Sequence, residues 1–193
     1  MKINSNSKTK SKNLIVITGV PGVGKSTLSK KLSKSKNYTC IDCNEIAINE
    51  KCVKGKTKKG ELIVNLQKLR TELLKKIKSV SLSNGVIVEG HLACEIKLPA
   101  SVVLVLRCHP SILRKRLAKR EYNTQKINNN LLAELLDYCL VQSEINYKSI
   151  PIVSIDNTKP KSIEKIIKQI EYKKSEKVDY SNLLLSKKFK LIE

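Results

Sequence analysis

Gly19-Val20-Pro21-Gly22-Val23-Gly24-Lys25-Ser26 has the spacing G-x-x-x-x-G-K-S. Each residue type in it serves the binding of a phosphate chain. Glycines at 19, 22 and 24 let successive backbone N–H groups, Val23 among them, curl toward one anion. Lys25 adds a mobile cation for the β- and γ-phosphates. Ser26 offers a hydroxyl to Mg²⁺, and Thr27 follows it toward the α-phosphate. A helix beginning near Gly24 turns its positive end to the same anion. ATP with Mg²⁺ is the cofactor pair this chemistry predicts.

A second constellation is Val88-Glu89-Gly90-His91. A carboxylate at a strand end can hold Mg²⁺ or its water beside the phosphates, and a histidine there can bond a phosphate or place a water. Phosphoryl transfer asks for cations around the moving group. Arg107, Arg114, Arg116 and Arg120 lie on and after the fourth strand as candidates; a solvated helix face accounts for Arg114, while Arg116 and Arg120 stand four apart on one helical face. Arg120 to Lys126 bridges two helices as a short lid, over about 119–129. A second substrate belongs opposite the phosphate loop, in about 42–67, where Asp42 and Asn44 stand; Arg70 on the helix that follows completes that candidate set.

These groups need a frame. Asn13–Gly19, Tyr38–Cys43, Gly85–Gly90, Ser101–Arg107 and Ile150–Ile155 are short runs rich in β-branched residues. Helical patterns separate them: about 24–36, Glu61–Val80, Pro110 to about Lys119, Thr124–Lys148, and one opened by Pro160. Alternating strands and helices imply an α/β fold, with a five-stranded parallel sheet covered by helices on both faces. Ligands bind such sheets at the carboxyl ends of the strands, where every motif above falls.

The chain has 193 residues, enough for one domain with a sizeable core, and a hydrophobic fraction of 40% rules out a disordered polyelectrolyte. With no Trp and one Phe, that core is aliphatic. A net charge of +21 favours polyanionic partners and says nothing of the fold. No apolar run approaches a membrane span and no secretory leader opens the chain, so a soluble, cytoplasmic protein is expected; a monomer is a separate expectation. Six cysteines are then expected as thiols. Cys40 and Cys43 form a lone Cys-x-x-Cys, which reads as packing in preference to zinc. Residues 1–12 read as a disordered basic arm, 13–180 as the domain and 181–193 as a basic tail.

The sequence resembles the adenylate kinase isoenzyme 6 type family. The resemblance is carried by Ile17–Thr27, Val88–Leu92, Val105–Pro110, Leu113–Tyr122, Lys126–Glu134 and Val178–Tyr180. It implies a compact P-loop NTPase fold of three layers, α/β/α, with a short nucleoside-monophosphate-binding insertion and a short lid. It implies an adenylate kinase acting on ATP and AMP with Mg²⁺, with Lys25, Glu89, His91 and Arg120 as its active residues. It also implies ATPase activity and a role in small ribosomal subunit maturation, with a ribosomal protein and rRNA as partners. The sequence departs from the family at Glu121, where glycine is usual, at Asn129 and Asn65, where acids are usual, and at Gln142-Ser143, which replaces Glu-Ala.

Overall fold

The computed structural model describes residues 13–57, 60, 62–80 and 84–185. The basic arm, and the tail beyond residue 185, lie outside these residues. Five strands form one parallel sheet: β1 (Asn13–Thr18), β2 (Thr39–Asp42), β5 (Gly85–Glu89), β6 (Val102–Arg107) and β7 (Ile152–Asp156), in the order β2-β5-β1-β6-β7. The apolar runs read as strands because both faces are covered. All residues of β5 and β6 are buried, as are all of β1 after Asn13. This is the three-layer α/β architecture.

Around the sheet lie α1 (Lys25–Lys36), α2 (Cys43–Asn49), α3 (Leu66–Ser79), α4 (Pro110–Ala118), α5 (Thr124–Leu135), α6 (Tyr138–Asn146), α7 (Ile163–Glu171) and α8 (Ser181–Leu185). A 3-10 turn covers Leu92–Glu95. In α3, Leu69, Leu73 and Ile77 stand four apart and bury one stripe against the core.

Three helical expectations are corrected. The helix expected from Glu61 starts at Leu66, because the Asn65 side chain caps it by accepting from the Lys68 amide (3.2 Å). Ahead of it β3 (Val53–Lys56) and β4 (Leu62–Val64) form an antiparallel hairpin, with Leu62 and Ile63 exposed. The single helix expected over Thr124–Lys148 is broken between α5 and α6, where Asp137 takes a left-handed φ of 54°. The cause is non-local. Arg107, at the end of β6 and 1% exposed, donates through Nε to the Glu134 carboxylate (2.8 Å) and through Nη2 to the Glu134 carbonyl (3.0 Å) and the Asp137 carboxylate. Arg107 is thus the buried partner of a kinked helix, not a cation at the reaction centre. Finally, Pro160 does not open α7: Ser162 caps it, accepting from the Lys165 amide (3.4 Å).

Past α7 the chain returns along the outer edge of β7, and α8 packs against α5. Cys43 is fully buried, with its thiol pushed well up by burial. It packs on Gly90, where an added Cβ would meet the Cys43 Cβ at 2.6 Å. Among the described residues no group of three or more His, Cys, Asp or Glu side chains could hold a metal ion. Nor is any described helix long and apolar enough to cross a membrane.

Candidate active site

The loop between β1 and α1 crosses the carboxyl edge of the sheet at its central strand, and Gly19, Gly22 and Gly24 all take positive φ within it. At Gly24 (φ 106°) a Cβ would sit 2.5 Å from Asn157 Nδ2, so both the dihedral and the neighbour require glycine. Asn157 follows β7 and donates to the Val23 carbonyl (2.7 Å); Arg116 donates to the carbonyls of Asn157 and Thr158 (both 3.0 Å) and, more weakly, to that of Val23 (3.4 Å). The loop is therefore held from outside by two side chains. Val23 itself is fully buried and anchors the loop to the core.

Lys25 Nζ donates to the carbonyls of Gly19 (3.0 Å) and Val20 (3.1 Å). Burial lowers its affinity for the proton, and the Glu89 and Asp42 carboxylates work against that loss. Asp42 and Glu89 are register partners at the ends of β2 and β5. Glu89 is 4% exposed; burial raises its carboxyl above the ordinary value, against a hydrogen bond with the Ser26 hydroxyl. One hydroxyl and two carboxylates make a hard oxygen set. Two protein carboxylates suit Mg²⁺, which keeps waters and phosphate oxygens as further ligands.

His91 ends this edge. Burial, then the Lys25 charge, push its imidazole down to about 4, and its ring hydrogen-bonds the Gly19 backbone. Nδ1 faces the Cys139 thiol at 3.5 Å. His91 is therefore neutral at pH 7 and braces the start of the phosphate loop. The unfolded chain takes up a proton near pH 6.5 that the folded chain refuses down to about 4. Stability is lost as pH falls through that window, by up to about 3 kcal/mol. His91→Gln keeps a donor for Gly19 and removes the titration. Urea midpoints from pH 7.5 to 4.5 are expected to fall more steeply for the parent chain than for His91→Gln; parallel curves would refute this.

Two clefts meet at the loop. One, about 420 Å³, is lined by Gly22, Gly24, Thr27, Arg116, Asn157 and Lys161, among others. The other, about 660 Å³, is lined by Lys25, Ser26, Asp42, Asn44, Glu89 and His91, with Tyr122, Lys126, Asn129 and Asn130 across from them. Arg120 lines both. It sits on the turn between α4 and α5, whose next residue, Glu121, holds a left-handed φ of 56°. That dihedral is the reason a glycine is natural there. Lys126 lies 4.0 Å over the Tyr122 ring, and Asn123 caps α5 by accepting from the Lys126 amide (2.8 Å).

Of the candidate residues, Gly22, Gly24, Lys25, Ser26, Thr27, Asp42, Asn44, Glu89, His91 and Arg120 come together around the two clefts. Arg70 does not: its Nε donates to the Lys97 carbonyl (2.8 Å), and the second cleft is walled by other residues. Asn157, Pro160 and Lys161 were not anticipated. The rule that ligands sit beyond strand ends pointed to them, since Asn157 directly follows the last strand.

A parallel sheet with a glycine phosphate loop at its central strand, and one arginine between two clefts, defines a P-loop enzyme of the kinase kind. A family model described as an AAA domain matches residues 15–137. A protein of Pyrococcus abyssi described as "Putative adenylate kinase" is 34% identical over 157 residues, covering 81% of each chain. One of Methanocaldococcus jannaschii with the same description is 34% identical over 167 residues, 84% of this chain and 89% of that one. The present chain belongs to the family of these archaeal proteins. Among solved structures, the shikimate kinase of Bacteroides thetaiotaomicron (TM-score 0.53, 20% identity, 83% of this chain and 97% of that one) shares the fold. So does a gluconokinase of Sinorhizobium meliloti (TM-score 0.52, 16% identity, 84% and 91%).

Proposed function

We propose that this chain is an adenylate kinase, moving the γ-phosphoryl group of ATP to AMP and giving two ADP. The observation that carries the reading is the position of Arg120 on the wall of both clefts, beside the phosphate loop. ATP lies in the cleft bounded by Thr27, Arg116 and Asn157, with its phosphates on the amides of residues 22–27. AMP lies in the cleft of Asp42, Asn44 and Asn129–Asn130.

An α-phosphate oxygen of AMP forms a bond to the γ-phosphorus in line as the bond to the bridging oxygen of ATP breaks. No side-chain nucleophile is needed. Lys25 and Arg120 stay beside the charge that builds on the moving group. Ser26 and Glu89, with Asp42 next to it, would hold Mg²⁺, which would supply positive charge to offset that of the phosphate chain. His91 keeps the loop in place through Gly19. Water in the acceptor cleft turns the same site to ATP hydrolysis.

A second reading is an ATP-driven factor in small ribosomal subunit maturation, binding a ribosomal protein and rRNA. The excess of 38 basic over 17 acidic residues favours it.

One assay separates the two. With Mg²⁺ and ATP, the chain is incubated with AMP, CMP, UMP, GMP or no acceptor, and the nucleotides are resolved. Two ADP formed per AMP consumed, with little free phosphate, is the expected result. Phosphate release indifferent to acceptor would replace the kinase reading with the second.

A further inference from the structure

The stretch after α7 touches neither cleft, yet it holds one wall of the donor cleft from behind. Glu176 is the centre of this contact. Its amide donates to the Ser154 carbonyl (2.9 Å) on the outer edge of β7. Its Oε2 accepts from the Asp156 amide (2.7 Å) and from Lys161 Nζ (2.5 Å), and its Oε1 accepts from Gln169 Nε2 (2.9 Å). Lys161 Nζ also donates to the Asp156 carbonyl. Further along, the Tyr180 ring meets His109 edge-on (5.4 Å between centroids) and lies 5.5 Å from the Arg107 guanidinium.

The residues that Glu176 grips bound the segment 156–161. That segment gives the donor cleft Asn157, Pro160 and Lys161, and Asn157 in turn clamps the Val23 carbonyl in the phosphate loop. The contacts form one chain: Glu176 to Asp156 and Lys161, then Asn157, then the loop. Lys161 is only 15% exposed at its side chain, so removing its carboxylate leaves a poorly solvated cation without its charged partner. Three charge-assisted or buried-donor bonds on one carboxylate make Glu176 more than a surface pair.

We propose that Glu176 is a positioning residue for the donor nucleotide, fixing Lys161 and the 156–161 segment so that ATP finds a preformed wall. The inference rests on the donor-cleft assignment above. It predicts an effect mainly on ATP, because the acceptor cleft takes no residue from this segment.

The test is calorimetric binding of Mg-ATP and, separately, of AMP. Glu176→Ala is expected to raise the ATP Kd about tenfold, the loss of one charged hydrogen bond, and to leave the AMP Kd within about twofold. Glu176→Gln keeps an acceptor oxygen without the charge and is expected to fall between. Lys161→Met, at a residue of the donor cleft itself, is also expected to weaken ATP, and added to Glu176→Ala it should cost less than the sum of the two, since Glu176 acts in part through Lys161. An ATP Kd unchanged in both Glu176 variants, even with a lower Tm, would overturn the proposal, as would equal weakening of ATP and AMP. A selective rise in the ATP Kd supports it even where AMP proves not to be the acceptor, and an unchanged one defeats it even where AMP is.

Discussion

Lys25→Met is expected to lower ATP-dependent ADP formation by at least about 10³-fold, with the fold intact. Methionine matches the lysine stem, so the packing of α1 survives. What disappears is the ammonium that bridges the Gly19 and Val20 carbonyls and faces Glu89. In the ATP complex proposed above that group would be the cation beside the β- and γ-phosphates. Burial costs it solvation in the free chain, so its charge gains most when phosphates arrive. The measurement is initial rate with resolved nucleotides, alongside a thermal melt. Activity within tenfold of the parent, at an unchanged Tm, would remove Lys25 from the reaction and the kinase reading with it.

Arg120→Ala is expected to cost about 10²- to 10³-fold in kcat, for phosphoryl transfer and hydrolysis alike. It is also expected to raise KM for both nucleotides, because the side chain borders both clefts. Arg116 makes the contrast. Its guanidinium is occupied by the carbonyls of Asn157, Thr158 and Val23, so it builds the loop. No hydrogen bond among the described residues holds the Arg120 side chain, leaving it available to a phosphate. Steady-state kinetics with ATP and AMP varied in turn decide the matter. A rise in one KM alone, with kcat unchanged, would reduce Arg120 to a binding residue for that nucleotide.

Much of this site was legible in the sequence because its residues are ordered by local rules. The phosphate loop is one continuous stretch between an apolar strand and a helix. Glu89 and His91 follow from the end of a buried strand, and Asp42 from the end of its neighbour. α2 was legible too and was missed: Asp42 caps it, and Cys43, Ile46 and Ala47 bury one face.

The remainder turns on partners distant in the chain. Arg70 looked like a substrate cation until the Lys97 carbonyl claimed it. The break between α5 and α6 depends on an arginine from β6, and no periodicity within the helix announces it. The β3–β4 hairpin hid because its strands are short and mostly exposed, so no apolar alternation marks them. Asn157 and Glu176 are ordinary polar residues by type, and only the return of the chain past β7 gives them work.

That return has a second consequence, for how the molecule behaves in company. β7 ends the sheet, and the outer row of an edge strand is a template on which another chain can polymerise. Here the row is filled from within. The Ser175 hydroxyl donates to the Ile152 carbonyl and accepts from the Ser154 amide, and the Glu176 amide takes the Ser154 carbonyl. The same few residues proposed to steady a nucleotide pocket therefore cover this edge of the sheet, and a chain cut short before Ser175 is expected to leave the outer row of β7 open and to lose ATP affinity together.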